Sequence, residues 1–338
     1  CLTIQNNMFQ VQYYLLIILF ALGIGFFIKA ILTKQFKQFG IATAIMIFCG
    51  LLAILPNILG ITLTKEYGNY TMRGGNSELT INKSAEEKDK TGGLDKEYAF
   101  SWSQGVGETF TLFVPNLYGG DSSQGLYWGP QPFLAGPIYF GILTMLFLVL
   151  GLFVIRNRLK WVIFSTGMLG IFLAMGKHFS TLNYFLFDNL PLYNSFRTPS
   201  MAMVIAAVAF VFLAVWGVQA FIGKDISKDE RWVALKKTLI IVGGFTLIIG
   251  LGSSILFDFK GDNADQLKAQ IAQQYKQSGA GEAQIQQGVT SAFEEIVEKR
   301  SDVARNDGLR SLFFLLVGGL LLYLFTKEKL DKKKLVIL

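Results

Sequence analysis

Apolar residues in this chain come in unbroken runs. They follow neither the 3.6-residue stripe of a water-facing helix nor the alternation of a half-buried strand. Seven runs stand out, at about Val11–Leu32, Phe39–Leu59, Gly136–Ile155, Trp161–Met175, Met201–Ile222, Thr238–Leu256 and Leu309–Phe325. Each is about 15–22 residues long, near the ~20 that carry a helix across a bilayer. The pattern predicts an all-α polytopic membrane protein with about seven transmembrane helices and structured extracytoplasmic loops. In order, residues 1–62 hold two spans and 63–135 form an aromatic-rich outer loop. Residues 136–257 hold four spans with an interfacial loop at 176–200. Residues 258–308 form an outer helical hairpin, and 309–338 hold the last span and a basic cytoplasmic tail.

The polar interruptions differ in character. Thr62–Asp95 is hydrophilic and carries the charged cluster Ser84–Lys90, which reads as a solvated, mobile loop tip. Tyr98–Gly141 is dense in aromatics, Gly and Pro, shows no period, and holds Glu108 and Asp121 but no Lys or Arg. Such a composition suits a structured surface at the lipid–water boundary, where Trp and Tyr prefer to sit. In Gly176–Ser200 the apolar stretch Leu182–Leu192 is too short to span and predicts an interfacial helix. Phe257–Gly308 is rich in Ala, Gln, Glu and Lys with apolar residues at helical spacing, broken at Ser278–Gly281. That predicts a hairpin whose second arm runs to the last span, with Asp307 and Arg310 spaced to pair along the helix surface. Pro56-Asn57 marks either a kink or a helix exit in the second span.

Composition supports the membrane reading: 52% of the 338 residues are hydrophobic and only 16% charged, against about a quarter in soluble domains. The net charge of +7 is unevenly placed. Lys and Arg near 29–37, 156–160, 224–237 and 327–334 give alternate loops a balance of +11, and the remaining loops sum to −4. By the positive-inside rule the basic loops are cytoplasmic, and the start of the chain and its long loops face outward. The basic excess is therefore a topology signal and no pointer to nucleic acid. An outward start implies spans upstream, so the chain reads as the C-terminal part of a longer protein. Two cysteines, Cys1 and Cys49, build no disulfide framework, and a lipid-modified Cys1 has no preceding signal segment to support it.

No phosphate-binding glycine loop, His-Glu-x-x-His or paired-cysteine motif is present, and no cofactor is evident. A divalent metal requirement cannot be read from the sequence. Few ionisable residues fall within the spans, which weakens a pump but leaves room for a lipid flippase. The outer loops place isolated charges among aromatics. Glu108 and Asp121 are candidates for sugar or acceptor contacts, Arg197 for a lipid phosphate with His178 as its neighbour, and Tyr127 and Trp128 for stacking on a sugar ring. Plainer roles compete: turn chemistry beside glycine for both acids, and pairing with headgroups or Asp188 for Arg197. The amides Asn6, Asn7, Gln10 and Gln12, with Tyr13 and Tyr14, read as an interfacial helix end, or as contacts to a sugar or headgroup.

YAFSWSQGVGETFTLFVPNLYGG, YWGPQPFLAGPIYFG and LPLYNSFRTPSM resemble the YfhO family of bacterial membrane proteins, which is grouped with the GT-C fold of glycosyltransferases. NNMFQVQYYLL is similar to a family segment that has Asn-His where this chain has Asn7-Met8, and RSDVARNDGLRSLFF carries a weaker likeness. The resemblance covers roughly Asn6–Met203. It implies transfer of a sugar from a polyprenyl-phosphate donor to a cell-envelope polymer or lipid on the outer face of the bacterial inner membrane. It also implies that the main catalytic carboxylate lies in a first outer loop upstream of Cys1. Two rivals share these residues. One is a flippase for a lipid-linked sugar; the other is a non-catalytic envelope subunit that docks protein partners on the hairpin Ala264–Asn306.

Overall fold

A computed structural model describes residues 8–68, 70–71 and 93–331. The predicted loop tip Ser84–Lys90 and the amides Asn6 and Asn7 lie outside the described residues. Among the described residues there is no strand. The helices are α1 (Phe9–Thr33), α2 (Phe36–Ile54), α3 (Ile58–Gly68), α4 (Lys96–Ala99), α5 (Ile142–Val154), α6 (Leu159–Ala174), α7 (Ser180–Asn189), α8 (Met203–Phe221), α9 (Lys228–Thr238), α10 (Gly244–Leu251), α11 (Ser253–Leu256), α12 (Ala264–Gln277) and α13 (Glu282–Thr326).

Five helical stretches are long and apolar enough to cross a membrane: Phe9–Thr33, Phe36–Gly68, Pro199–Phe221, Lys228–Leu251 and Glu282–Thr326. Two of the seven predicted spans take another form. Gly141, at φ +93, delays the third, leaving α5 with 13 residues, about 20 Å of helix. The fourth is α6, with 16 residues, which continues through a turn at Gly176–Phe179 into α7 after a bend of 115°. Counted as one broken span, that pair makes a sixth.

Contacts divide the chain into one unit of Cys1–Ser103 with Trp161–Val208 and another of Gln104–Lys160 with Ala209–Leu338. The aromatic-rich loop drawn at 63–135 is therefore cut at Ser103, because its two halves pack against different helices.

In the first unit, α1 and α2 are joined by a two-residue turn in which Lys34 takes the left-handed conformation and returns its N–H to the carbonyls of Ala30 and Ile31. At Pro56 the second span passes through a short 3₁₀ turn, and the Asn57 side-chain amide donates to the Ala53 carbonyl. No residue of α2 or α3 is buried, although α2 is apolar beyond its first turn and α3 is mostly apolar as far as Leu63. A surface of that kind is stable against lipid and unstable against water. The buried centre of this unit is Leu94, Ala99, Phe100, Phe187 and Tyr193, ringed by Tyr13, Tyr98 and Tyr184. Asp188, a predicted partner for Arg197, instead accepts from Lys96 at 2.8 Å.

The second unit packs the remaining loop onto α10 and α13. Val114, Leu117, Trp128, Ile249, Phe259 and Ala304 form its core. Helices α12 and α13 make the predicted hairpin, turning at Gly279 with φ +79. Its second arm and the last span are a single helix of 45 residues. Asp307 and Arg310 pair at 3.0 Å, and the second Asp307 oxygen accepts the Asn116 N–H at 3.0 Å, tying the loop to the helix.

Small residues let these helices approach closely. A Cβ added at Gly308 would lie 2.5 Å from the Gly250 Cα, so α10 and α13 touch backbone to backbone. Gly308→Leu is expected to destabilise the protein by about 1–3 kcal/mol or more through overpacking. Thermal unfolding of the detergent-purified variant measures this; an unchanged midpoint would show that the crossing can open freely.

Candidate functional site

Two places concentrate polar chemistry, one in each unit. The first surrounds Arg197. Its segment, Leu192–Pro199, is held in a conformation that its sequence does not favour. Leu192 (φ +65) and the β-branched Thr198 (φ +63) both occupy the left-handed region. Neighbours over-determine that shape. The Gln10 side-chain amide donates to the Arg197 carbonyl at 2.7 Å, and Tyr13 O–H donates to the Pro191 carbonyl at 3.0 Å. Thr198 N–H donates to the Ala99 carbonyl and Ser200 N–H to that of Trp102, each at 3.2 Å.

The Arg197 backbone is thereby pinned while its side chain stays exposed. Its guanidinium donates to the Tyr98 hydroxyl at 2.6 Å and lies 5.9 Å from the ring centres of both Tyr98 and Trp102. Tyr98 orients the fork without neutralising it. Arg197 and Tyr98 line a cleft of about 780 Å³ together with Phe9, Ile61, Thr64 and Lys65. That volume suits a small-molecule ligand. Its cations and hydroxyls sit among apolar walls, where the first turn of α1 and the last turns of α3 reach the ends of their spans. The arrangement matches an amphiphile with an anionic head. His178 is exposed in the turn Gly176–Phe179, where the neighbouring Lys177 N–H donates to the Ser103 hydroxyl at 3.0 Å. It is not among the described residues lining the cleft.

The second place surrounds Glu108, which is 3% exposed. Its carboxylate accepts from the Tyr127 hydroxyl at 2.7 Å, the Gly105 N–H at 2.7 Å and the Gln131 amide at 3.1 Å. The loop strands around Gly105 and Gln131 are thus fastened to one side chain. Glycine is required at 129, where a Cβ would lie 2.6 Å from a Glu108 oxygen. The space beside the carboxylate is about 10 Å³, room for roughly one water and far too small for a sugar. Asp121 accepts the Ser123 N–H at 2.7 Å and starts a 3₁₀ turn, the turn chemistry that glycine neighbours favour.

Tyr127 and Trp128, candidates for stacking on a sugar, are 8% and 7% exposed. The Trp128 ring stacks on Tyr118 at 4.1 Å between centroids and meets Phe257 and Phe259 edge-on. Protein occupies their faces because the loop folds its aromatics inward on α10 and α13. Of the six predicted residues, the structure joins Glu108 to Tyr127 and sets Arg197 at a cleft. Lys65 and Tyr98 completed that cleft without a signal of their own in the sequence, since each is an ordinary interfacial residue until Arg197 is placed beside it.

Burial is the largest influence on the Glu108 carboxyl and pushes its pKa up, while hydrogen bonds from Gly105, Tyr127 and Gln131 pull the other way. The folded pKa lies above the unfolded one. Its stabilising contribution is complete below the unfolded carboxylate range and is lost as pH rises through the folded value. In choline chloride, the unfolding midpoint is expected to fall as pH climbs from about 4 towards neutrality. The Glu108→Gln variant should show a flatter profile; parallel profiles would remove Glu108 as the source.

No family model, curated protein or solved structure matches the chain. The long apolar helices and the Arg197 site define a helical membrane protein with a cationic, aromatic-rimmed cleft at the ends of its spans.

Proposed function

We propose that the chain is the lipid-phosphate-binding part of a membrane glycosyltransferase that takes a sugar from a polyprenyl-phosphate donor and places it on a cell-envelope polymer or lipid. The observation that supports this reading most is the Arg197 cleft, with Lys65 and hydroxyls near the head position and apolar walls beside it. Arg197 would grip the phosphate through its fork, and Lys65 would add a point charge. The isoprenoid tail would follow the apolar wall of α3 into the bilayer. The seven-span topology belongs to the same reading, with basic turns in the cytoplasm and the cleft on the outer face of a bacterial inner membrane.

A flippase for the same lipid is the second reading. It is favoured by the cleft itself, because none of the described residues lining it is acidic. Purified protein in sealed proteoliposomes, given a polyprenyl-phosphate sugar and an envelope acceptor, separates the two. A new glycoside supports transfer. Bound but unconverted donor, with sugar appearing across a sealed vesicle, supports the flippase.

A further inference from the structure

Among the described residues no Lys or Arg pairs with the buried Glu108 carboxylate, and the atoms around it define what would balance its charge. Three donors reach it, from Gly105, Tyr127 and Gln131, whereas an ionised carboxylate offers about four acceptor sites. Gln104 and Gln131 are 1% and 4% exposed, and the side-chain oxygen of each is buried with no hydrogen-bond partner. Both side chains line the same small cavity as Glu108. Because the Gln131 nitrogen is committed to Glu108, its oxygen cannot exchange places with a donor. Thr111, also on the cavity wall, directs its hydroxyl to the carbonyls of Glu108 and Ile138, so its remaining capacity is as an acceptor.

We propose that this cavity is a cation site that takes a hard monovalent ion, sodium by size, held by the Glu108 carboxylate and the side-chain oxygens of Gln104 and Gln131. Three acceptors are left open there, the Gln104 and Gln131 oxygens and one site on the Glu108 carboxylate. A water has two hydrogens and satisfies two of them, whereas a cation satisfies all at once. The donor set is entirely oxygen, as hard cations require, and neutral amide oxygens serve sodium well. A single carboxylate supplies one charge, and no group of three His, Cys, Asp or Glu side chains suited to a metal occurs among the described residues. That favours a monovalent ion over calcium. The cavity of about 10 Å³ accepts an ion no larger than a water. An ion here would brace the loop between Gly105 and Gln131 and is independent of any role for the Arg197 cleft.

The test is thermal unfolding of the full chain in detergent, with sodium chloride exchanged for choline chloride at constant ionic strength. The wild-type midpoint should rise with sodium and saturate, as for any ligand that binds the folded state alone. The same sodium should flatten the fall in stability with rising pH. Glu108→Gln should lose the response; if that variant does not fold, Gln104→Leu, whose side chain makes no bond to Glu108, should lower the apparent sodium affinity at least about tenfold. Equal wild-type midpoints in sodium and choline would overturn the proposal and leave the cavity to water or a protonated Glu108. So would a sodium response that survives in both variants, or a response to calcium in place of sodium.

Discussion

On the proposed reading, Arg197→Ala is expected to weaken binding of a polyprenyl phosphate about 10- to 100-fold, the range for removal of a hydrogen bond to a charged group. The expectation rests on three features. The guanidinium is exposed at the cleft and, among the described residues, bonds a neutral hydroxyl and forms no ion pair, which leaves its charge for an anion. Its backbone is pinned by Gln10 and by the Ala99 carbonyl beside it, so truncation leaves the segment's shape in place. The cleft is partly solvated, so affinity for the head should weaken as salt rises. Arg197→Lys keeps the charge but loses the fork and should fall between wild type and alanine. Fluorescence or scintillation-proximity binding in nanodiscs checks the series, with membrane abundance recorded in parallel. Equal loss of binding and abundance would make Arg197 a folding residue and take the cleft out of the functional argument.

Arg300→Met costs about 3–5 kcal/mol, near the top of the range for single substitutions. Arg300 is 2% exposed, on α13, and no carboxylate pairs with it among the described residues. Its guanidinium instead donates to the carbonyls of Phe259 at 2.8 Å, Lys260 at 3.0 Å, Leu126 at 3.0 Å and Tyr127 at 3.4 Å. One side chain therefore satisfies backbone acceptors on two separate loop segments and holds both against the helix. Methionine fills similar volume but leaves those carbonyls buried and unpaired. Arg300→Lys should recover little, since a single ammonium cannot reach both segments in the fork's geometry. Denaturant unfolding in mixed micelles measures the loss. A change below about 1 kcal/mol would mean that water replaces the guanidinium at little cost.

These two arginines also mark how far the sequence could be read. Arg197 was legible because it stands alone between an apolar run and a proline, where a span begins. Arg300 was not: EKRSDVARND reads as one solvated helical face, and nothing in it says that one of its charges turns inward onto loop carbonyls. Likewise, Glu108 beside two glycines could be a ligand contact or a turn residue. Only the arrival of Tyr127 and Gln131, 19 and 23 residues further along, makes it the centre of a buried network.

Hydrophobic run length alone determined that the chain is helical and built for a membrane, because a bilayer imposes a minimum length that a run of apolar residues either meets or does not. Helical spacing with a glycine break determined the hairpin of α12 and α13, and the i, i+3 spacing of Asp307 and Arg310 determined their pair, since both are local in the chain. Tertiary structure decided the rest. Which aromatics would face inward, which acid would be buried and which cations would share a cleft all depend on contacts between residues far apart in sequence. The interior of Tyr98–Gly141 has no period to encode them. The shortened α5 and the sharp bend after α6 belong to the same class: composition permitted two straight spans, and packing around Gly141 and Gly176 produced something else.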